Sequence, residues 1–135
     1  DYLGDVLASR VASLEDDGDR LTGESLRQMK EIGALKASTR ALVERLQTES
    51  GGLRGLKEGS DAYKKQFAAV QELTAQINRA KVSLRRANAQ KDATQQRIAA
   101  QAAELKTAQD ELDRHRRLPA AEKASANKAA IERLR

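Results

Sequence analysis

The stretch YKKQFAAVQELTAQINRAKVSLRRANAQKDATQQRIAAQAAELKTAQDEL, residues 63–112, repeats an apolar or long side chain at every seventh position. The members of this series are Tyr63, Val70, Ile77, Leu84, Lys91, Ile98, Leu105 and Leu112. A second series stands three positions further on in each heptad: Gln66, Leu73, Ala80, Ala87, Thr94, Gln101, Ala108 and His115. Two such series form one stripe on a helix, which is typical of a coiled-coil seam. No Gly or Pro occurs between Ser60 and Leu118, so the pattern predicts a long helix over residues 60–117.

The first part of the chain shows the same rhythm. Its series are Leu7, Leu14, Leu21, Gln28, Leu35 and Leu42, with Val11, Ile32 and Leu46 each four residues after a member. This pattern predicts a helix over residues 2–49 that packs against the long one. The cluster of acidic residues and Gly18 at positions 16–19 predicts a kink or a short interruption, although Leu14 and Leu21 stay in phase across it.

Glycine and proline mark the ends of these helices. Residues 50–59 hold four glycines and are predicted to reverse the chain. Pro119 lacks an amide hydrogen and disfavours helical geometry at Leu118, so the long helix is expected to stop there. Residues 120–135 then form a short helix. The prediction is one helical coiled-coil domain over residues 1–135, of all-α class: an extended antiparallel coiled-coil hairpin with a short third helix.

Composition agrees with a narrow seam between helices. Only 2% of the 135 residues are aromatic and 33% are charged, too little apolar bulk for an ordinary globular core. Residues 1–59 carry a net charge of −2 and residues 60–135 a net charge of +7, so the two parts are expected to attract each other. Without cysteine there is no disulfide framework, and the sequence is compatible with several cellular compartments.

Catalytic and metal-binding patterns are missing from the sequence. His115 is the sole histidine and stands among Arg114, Arg116 and Arg117, which indicates a solvated histidine at a helix end. Asp16, Asp17 and Asp19 lack the spaced ligands and closing glutamate of a calcium loop, and are interpreted as a solvated acidic turn. No phosphate-binding glycine loop is present. We therefore expect no enzymatic activity, no cofactor and no metal.

Two basic clusters raise the question of nucleic acid, namely Arg85 with Arg86 and the three arginines around His115. Neither has an aromatic residue beside it on which a base could stack, so we interpret them as a solvated basic face, partly paired with the acidic first helix. Nucleic-acid binding is disfavoured but stays an alternative. Membrane contact is also disfavoured, because the apolar stripe is narrow, lacks Trp and never approaches the roughly 20 apolar residues of a span.

Polar residues interrupt the seam at Lys91, Thr94 and Gln101. Buried polar groups can fix the register of a coiled coil at a cost in stability, or the region can be loosely packed and hydrated. The loose interpretation is favoured over the register-fixing one.

Residues 105–125 resemble the approach to the hairpin tip of bacterial periplasmic adaptor proteins, also called membrane fusion proteins. The family's tip pattern is Arg, three residues, Leu, six residues, Ser, and it is matched by Arg114, Leu118 and Ser125. In that family these residues dock the adaptor against an outer-membrane channel. The resemblance implies that Arg114, Leu118 and Ser125 dock a partner protein.

The layout is also similar to the coiled-coil ectodomain of type III secretion translocators, in its Leu3-Gly-Asp-Val start, its Lys30-Glu-Ile-Gly33 segment and its Ala- and Gln-rich long helix. Both resemblances imply bacterial export machinery. We expect a structural or interaction-mediating coiled coil that binds other helical proteins or itself, with a periplasmic or secreted location slightly favoured. The chain begins at Asp1 and not at Met, which predicts a segment of a longer protein or a processed product.

Overall fold

A computed structural model describes residues 1–135 and contains three α-helices without any strand. Helix α1 covers Tyr2–Gly52, α2 covers Asp61–Arg117 and α3 covers Ala120–Glu132, with a short 3-10 turn at Leu53–Gly55. Helix α1 packs against α2. The predicted fold class, an all-α helical hairpin with a short third helix, is confirmed.

The seam lies where the heptads place it. Every member of the two series on α2 is buried or half-buried, whereas most other α2 residues are exposed. Leu73, Ile77 and Leu112 retain 4 to 6% of their accessible surface. Removing such side chains from water stabilises the fold, at roughly 25 cal/mol for each Å² of apolar surface buried.

Contacts divide the chain into two compact units, through each of which both long helices pass. We call Asp1–Ser25 with Thr94–Arg135 the terminal unit, and Leu26–Ala93 the turn unit. In the terminal unit the buried core consists of leucines from both helices and of Ala108. In the turn unit it consists of Ile32, Leu73 and Ile77.

In the terminal unit, α1 is unbroken through residues 16–19, so the predicted interruption is absent. Leu14 and Leu21 on either side are 9% and 5% exposed, which anchors both ends of this segment on the seam. Arg20 and Asp17 form an ion pair of 3.2 Å along the helix surface. Asp16 and Asp19 are exposed and Asp17 is half-buried, so the carboxylates reach water and α1 accommodates the cluster.

Polar seam positions of the terminal unit are packed and not loose. Thr94 is 3% exposed, and Gln101 Nε2 donates a hydrogen bond of 2.7 Å to the carbonyl oxygen of Leu14 on the other helix. A Cβ atom at position 18 would stand 2.7 Å from that nitrogen, so Gly18 leaves the space which Gln101 fills. The loose, hydrated interpretation is therefore wrong at Thr94 and Gln101.

The turn unit closes the hairpin with caps on both helices. Helix α1 runs three residues past its predicted end at residue 49, because glycine can adopt helical angles and Gln66 Nε2 donates to the carbonyl oxygen of Glu49 at 2.7 Å. Gly59 has a positive φ of 84°, which favours glycine. Ser60 Oγ then accepts the amide of Tyr63 at 3.2 Å, as expected of an N-cap.

Candidate partner-docking surfaces

The corner between α2 and α3 carries the residues for which the resemblance to adaptor tips implies docking. The amide of Leu118 bonds the carbonyl oxygen of His115 at 3.2 Å, and Pro119 takes an extended ψ of 154°. The next helix begins at Ala120 and ends at Glu132, three residues before the predicted end of the chain's last helix. Proline thus breaks the long helix as predicted, because it cannot donate the backbone hydrogen bond.

His115 is buried inside this corner and not solvated. It is 4% exposed, and its Nε2 lies 2.6 Å from Oδ2 of Asp1. A Cβ atom at Gly4 would stand 2.8 Å from that Asp1 oxygen, so the absent side chain makes room for the pair. The expectation of a solvated helix-end histidine is wrong. The sequence signal for burial was the place of His115 in the second heptad series, which predicts burial in spite of the neighbouring arginines.

Helix α3 is tied to the start of α1 by Asn127. Its Oδ1 accepts the amide of Leu3 at 2.6 Å, while its Nδ2 donates to the carbonyl oxygen of Lys123 at 2.8 Å. The Leu3 amide is one of the first four amides of α1, which have no partner within the helix. Nothing in the sequence pattern indicates this contact.

The three proposed docking residues differ in their surroundings. Arg114 is exposed and bonds only the carbonyl oxygen of Asp110 at 3.4 Å in its own helix. Ser125 on α3 is exposed, and Leu118 is half-buried. No hydrogen bond or ion pair joins Arg114, Leu118 and Ser125 to one another. The two exposed side chains are therefore open to a partner, whereas Leu118 has a share in the packing of the corner.

Large apolar side chains are also exposed on the outer faces of all three helices. They are Tyr2, Val6, Leu26 and Met29 on α1, Phe67 and Val82 on α2, and Ile131 on α3, with Leu134 beyond its end. Leu26, at 62%, and Leu134, at 72%, are the most exposed of them.

The two units differ in net charge. The terminal unit has 11 Lys and Arg against 13 Asp and Glu, a net charge of −2, and the turn unit has 14 against 7, a net charge of +7. In the terminal unit, Arg10 pairs with Glu111 across the helices at 3.8 Å. In the turn unit no ion pair joins α1 to α2, and Arg85 and Arg86 are exposed without an acidic partner. The expected pairing of the basic face with the first helix does not extend to these two arginines.

The surface carries open grooves. One groove of about 410 Å³ follows the outer face of α2 from Asn78 to Arg86 around Val82. No three His, Cys, Asp or Glu side chains stand close enough together to hold a metal ion. None of the helices combines the length and the apolar character needed to span a membrane.

Comparison of the chain with protein-family models, curated protein sequences and solved structures finds no significant match.

Proposed function

We propose that this chain is a non-enzymatic helical scaffold that binds other helical proteins, within a bacterial secretion or export assembly. The observation that carries the proposal is the placement of its apolar side chains. The buried apolar side chains lie on the seam between α1 and α2, whereas eight large apolar side chains are exposed. Helix surfaces of this kind are the ones on which further helices pack.

The corner between α2 and α3 supports a docking role for its exposed residues. Asp1, His115 and Asn127 hold the corner through buried or half-buried polar contacts, which leaves Arg114 and Ser125 free of any structural bond across helices. The resemblance to adaptor tips proposes the same residues for partner binding. An arginine is well suited to such a place, since its planar guanidinium forms bidentate bonds with carboxylates.

Site-directed photo-crosslinking in cells that produce the chain tests this proposal. A photoreactive residue at Ser125 should crosslink to a helical protein of the export machinery, identified by mass spectrometry. The same residue at Gln95, which is exposed and off the seam, is the matched control and should give no such product. Equal products from both positions, or products with nucleic acid alone, would contradict the proposal.

A second candidate function, association with duplex nucleic acid, is favoured by the net charge of +7 on the turn unit and by the unpaired Arg85 and Arg86. Phosphate contacts need charge alone, and such binding weakens steeply with salt. Arg85→Glu with Arg86→Glu should abolish binding to an arbitrary duplex, while Arg116→Glu with Arg117→Glu should weaken it less. Absence of duplex binding at low salt would remove this candidate.

A further inference from the structure

We infer that the outward face of α2 within the turn unit binds an acidic amphipathic helix of a partner protein. The inference rests on the proposed function and deepens it, because it gives the chemistry of one helical partner and the site at which that partner binds. Every residue of the site belongs to the turn unit, Leu26–Ala93.

Two large apolar side chains are exposed on this face of α2. Phe67 is 44% exposed and Val82 is 38% exposed, whereas Leu73 is buried on the seam. Val82 follows Leu73 by about two and a half helical turns, so it lies on the opposite side of the helix. Phe67 and Val82 are within roughly 60° of each other around the helix and about 22 Å apart along it. One straight partner helix can therefore cover both side chains.

Val82 lies in the groove of about 410 Å³ on the outer face of α2. Asn78 and Arg86 are four residues from Val82 and Arg79 is three residues from it, so all three are its neighbours on the helix surface. An apolar side chain of a partner helix can pack on Val82, and its burial favours association. Carboxylates beside that side chain can then bind the two guanidinium groups, which fixes the orientation of the partner.

The charge of this face is strongly positive. Residues 64–86 hold six Lys and Arg against one Glu, a net charge of +5. Exposed cations that have no ion-pair partner in the turn unit stand close to each apolar side chain. They are Lys64 and Lys65 near Phe67, and Arg85 and Arg86 near Val82. A partner that covers the apolar side chains must therefore bring negative charge with it.

The one ion pair on this face does not neutralise it. Arg79 bonds Glu72 at 3.2 Å, and both side chains are more than half exposed, at 66% and 61%. Exposed pairs of this kind contribute little to stability. A carboxylate of the partner can take the place of Glu72 beside Arg79 at little cost.

Charge disfavours a second copy of the same face as the occupant. An antiparallel pair of α2 helices that sets Val82 against Val82 also sets Arg79 against Arg85, because the numbers of facing residues then add to the same total. A parallel pair sets each cation against itself. Like charges that face each other across an interface weaken it, so the face fits an acidic helix better than its own copy.

Fluorescence anisotropy with the purified chain and a labelled synthetic helix tests the inference. The probe has about three heptads, with leucine along one stripe and glutamate on both sides of it. It should bind the native chain at about 0.05 M NaCl and bind more weakly at about 0.5 M NaCl, because salt screens exposed charges. A second probe with lysine in place of every glutamate should not bind.

Substitutions in the groove should weaken binding of the acidic helix. Val82→Gln removes the apolar side chain, and Arg79→Glu with Arg86→Glu reverses the charges around it. Each variant should bind the probe about tenfold more weakly or less well still. Circular dichroism should show the native helix content and melting temperature, since all three side chains are exposed.

Matched controls lie on α1 within the same unit. Leu26→Gln also removes an exposed apolar side chain, and Lys36→Glu with Arg40→Glu makes the same change in net charge. Both controls should bind the acidic helix within about threefold of the native chain, because long-range attraction alone is screened by salt.

Three results would overturn the inference. Equal weakening by the charge reversals on α1 and α2, or undiminished binding in Val82→Gln, would show that net charge alone attracts the probe. Tighter binding of a duplex DNA probe, weakened by Arg79→Glu with Arg86→Glu but not by Val82→Gln, would assign the face to nucleic acid. Self-association of the native chain in the ultracentrifuge that Val82→Gln abolishes would place a second copy there. An acidic helix that fails to bind, while position 125 still crosslinks to a helical protein, contradicts this inference and leaves the proposed function standing.

Discussion

The side chain of Gln101 fills the space that Gly18 leaves open on the facing helix. A Cβ atom at position 18 would stand 2.7 Å from Gln101 Nε2, and that nitrogen donates to the carbonyl oxygen of Leu14 at 2.7 Å. A glycine in the middle of α1 thus has a packing role, which explains how a residue unfavourable to helices fits there.

Two glycine substitutions separate this packing role from helix propensity. Gly33→Ala meets no neighbour and should raise the free energy of unfolding by about 1 kcal/mol. Gly18→Ala should be nearly neutral, because displacing the Gln101 hydrogen bond costs about 1 kcal/mol and offsets the gain. In a Gln101→Ala background, Gly18→Ala should raise the free energy of unfolding by about 1 kcal/mol, as Gly33→Ala does. Urea denaturation of dilute protein at high salt measures all three, and equal gains at both glycines in the native background would contradict the contact.

The seam predicts a sharp contrast between neighbouring positions. Leu84→Asp or Ile98→Asp places a charge in the apolar stripe and should destabilise the protein by about 3 kcal/mol or more. Gln95→Asp, on the exposed face three residues before Ile98, should change stability by less than about 0.5 kcal/mol. Thermal melting followed by circular dichroism is sufficient. Similar losses at all three sites would show that the heptads are assigned to the wrong face.

Much of the fold could be predicted because a heptad pattern records which face of each helix is buried. The same pattern contained His115, yet the arginines at 114, 116 and 117 made it resemble a solvated residue. Burial was decided by its position on the seam and by the room beside Gly4. The bond between Asn127 and the Leu3 amide joins residues 124 apart, and no local signal indicates such a contact.

The buried pair of His115 and Asp1 yields a prediction for the terminal unit. His115→Ala removes a side chain that is 4% exposed together with its 2.6 Å contact, and should lower the free energy of unfolding by about 2 kcal/mol. Arg116→Ala, one residue away and exposed, is the control and should be nearly neutral. Urea denaturation compares the two variants. A neutral His115→Ala would show that the corner is held by other contacts.

The proposed docking role of the corner requires residues that bind a partner without holding the fold. Arg114 is exposed and makes no bond across helices, so Arg114→Ala should leave the melting temperature unchanged. Leu118 is half-buried, so Leu118→Ala is expected to combine a modest loss of stability with a loss of partner binding. If Leu118 instead has a purely structural role and only packs α3 onto the hairpin, Leu118→Ala should lower stability without a separate loss of partner binding.

The decisive quantity is the yield of the crosslink from position 125 to its protein partner, measured in the native chain and in the Arg114→Ala variant. A docking corner predicts a fall of about tenfold or more in the variant while its melting temperature stays that of the native chain. An undiminished crosslink in Arg114→Ala, or a yield that falls only when melting temperature falls with it, would contradict the role of this corner in binding.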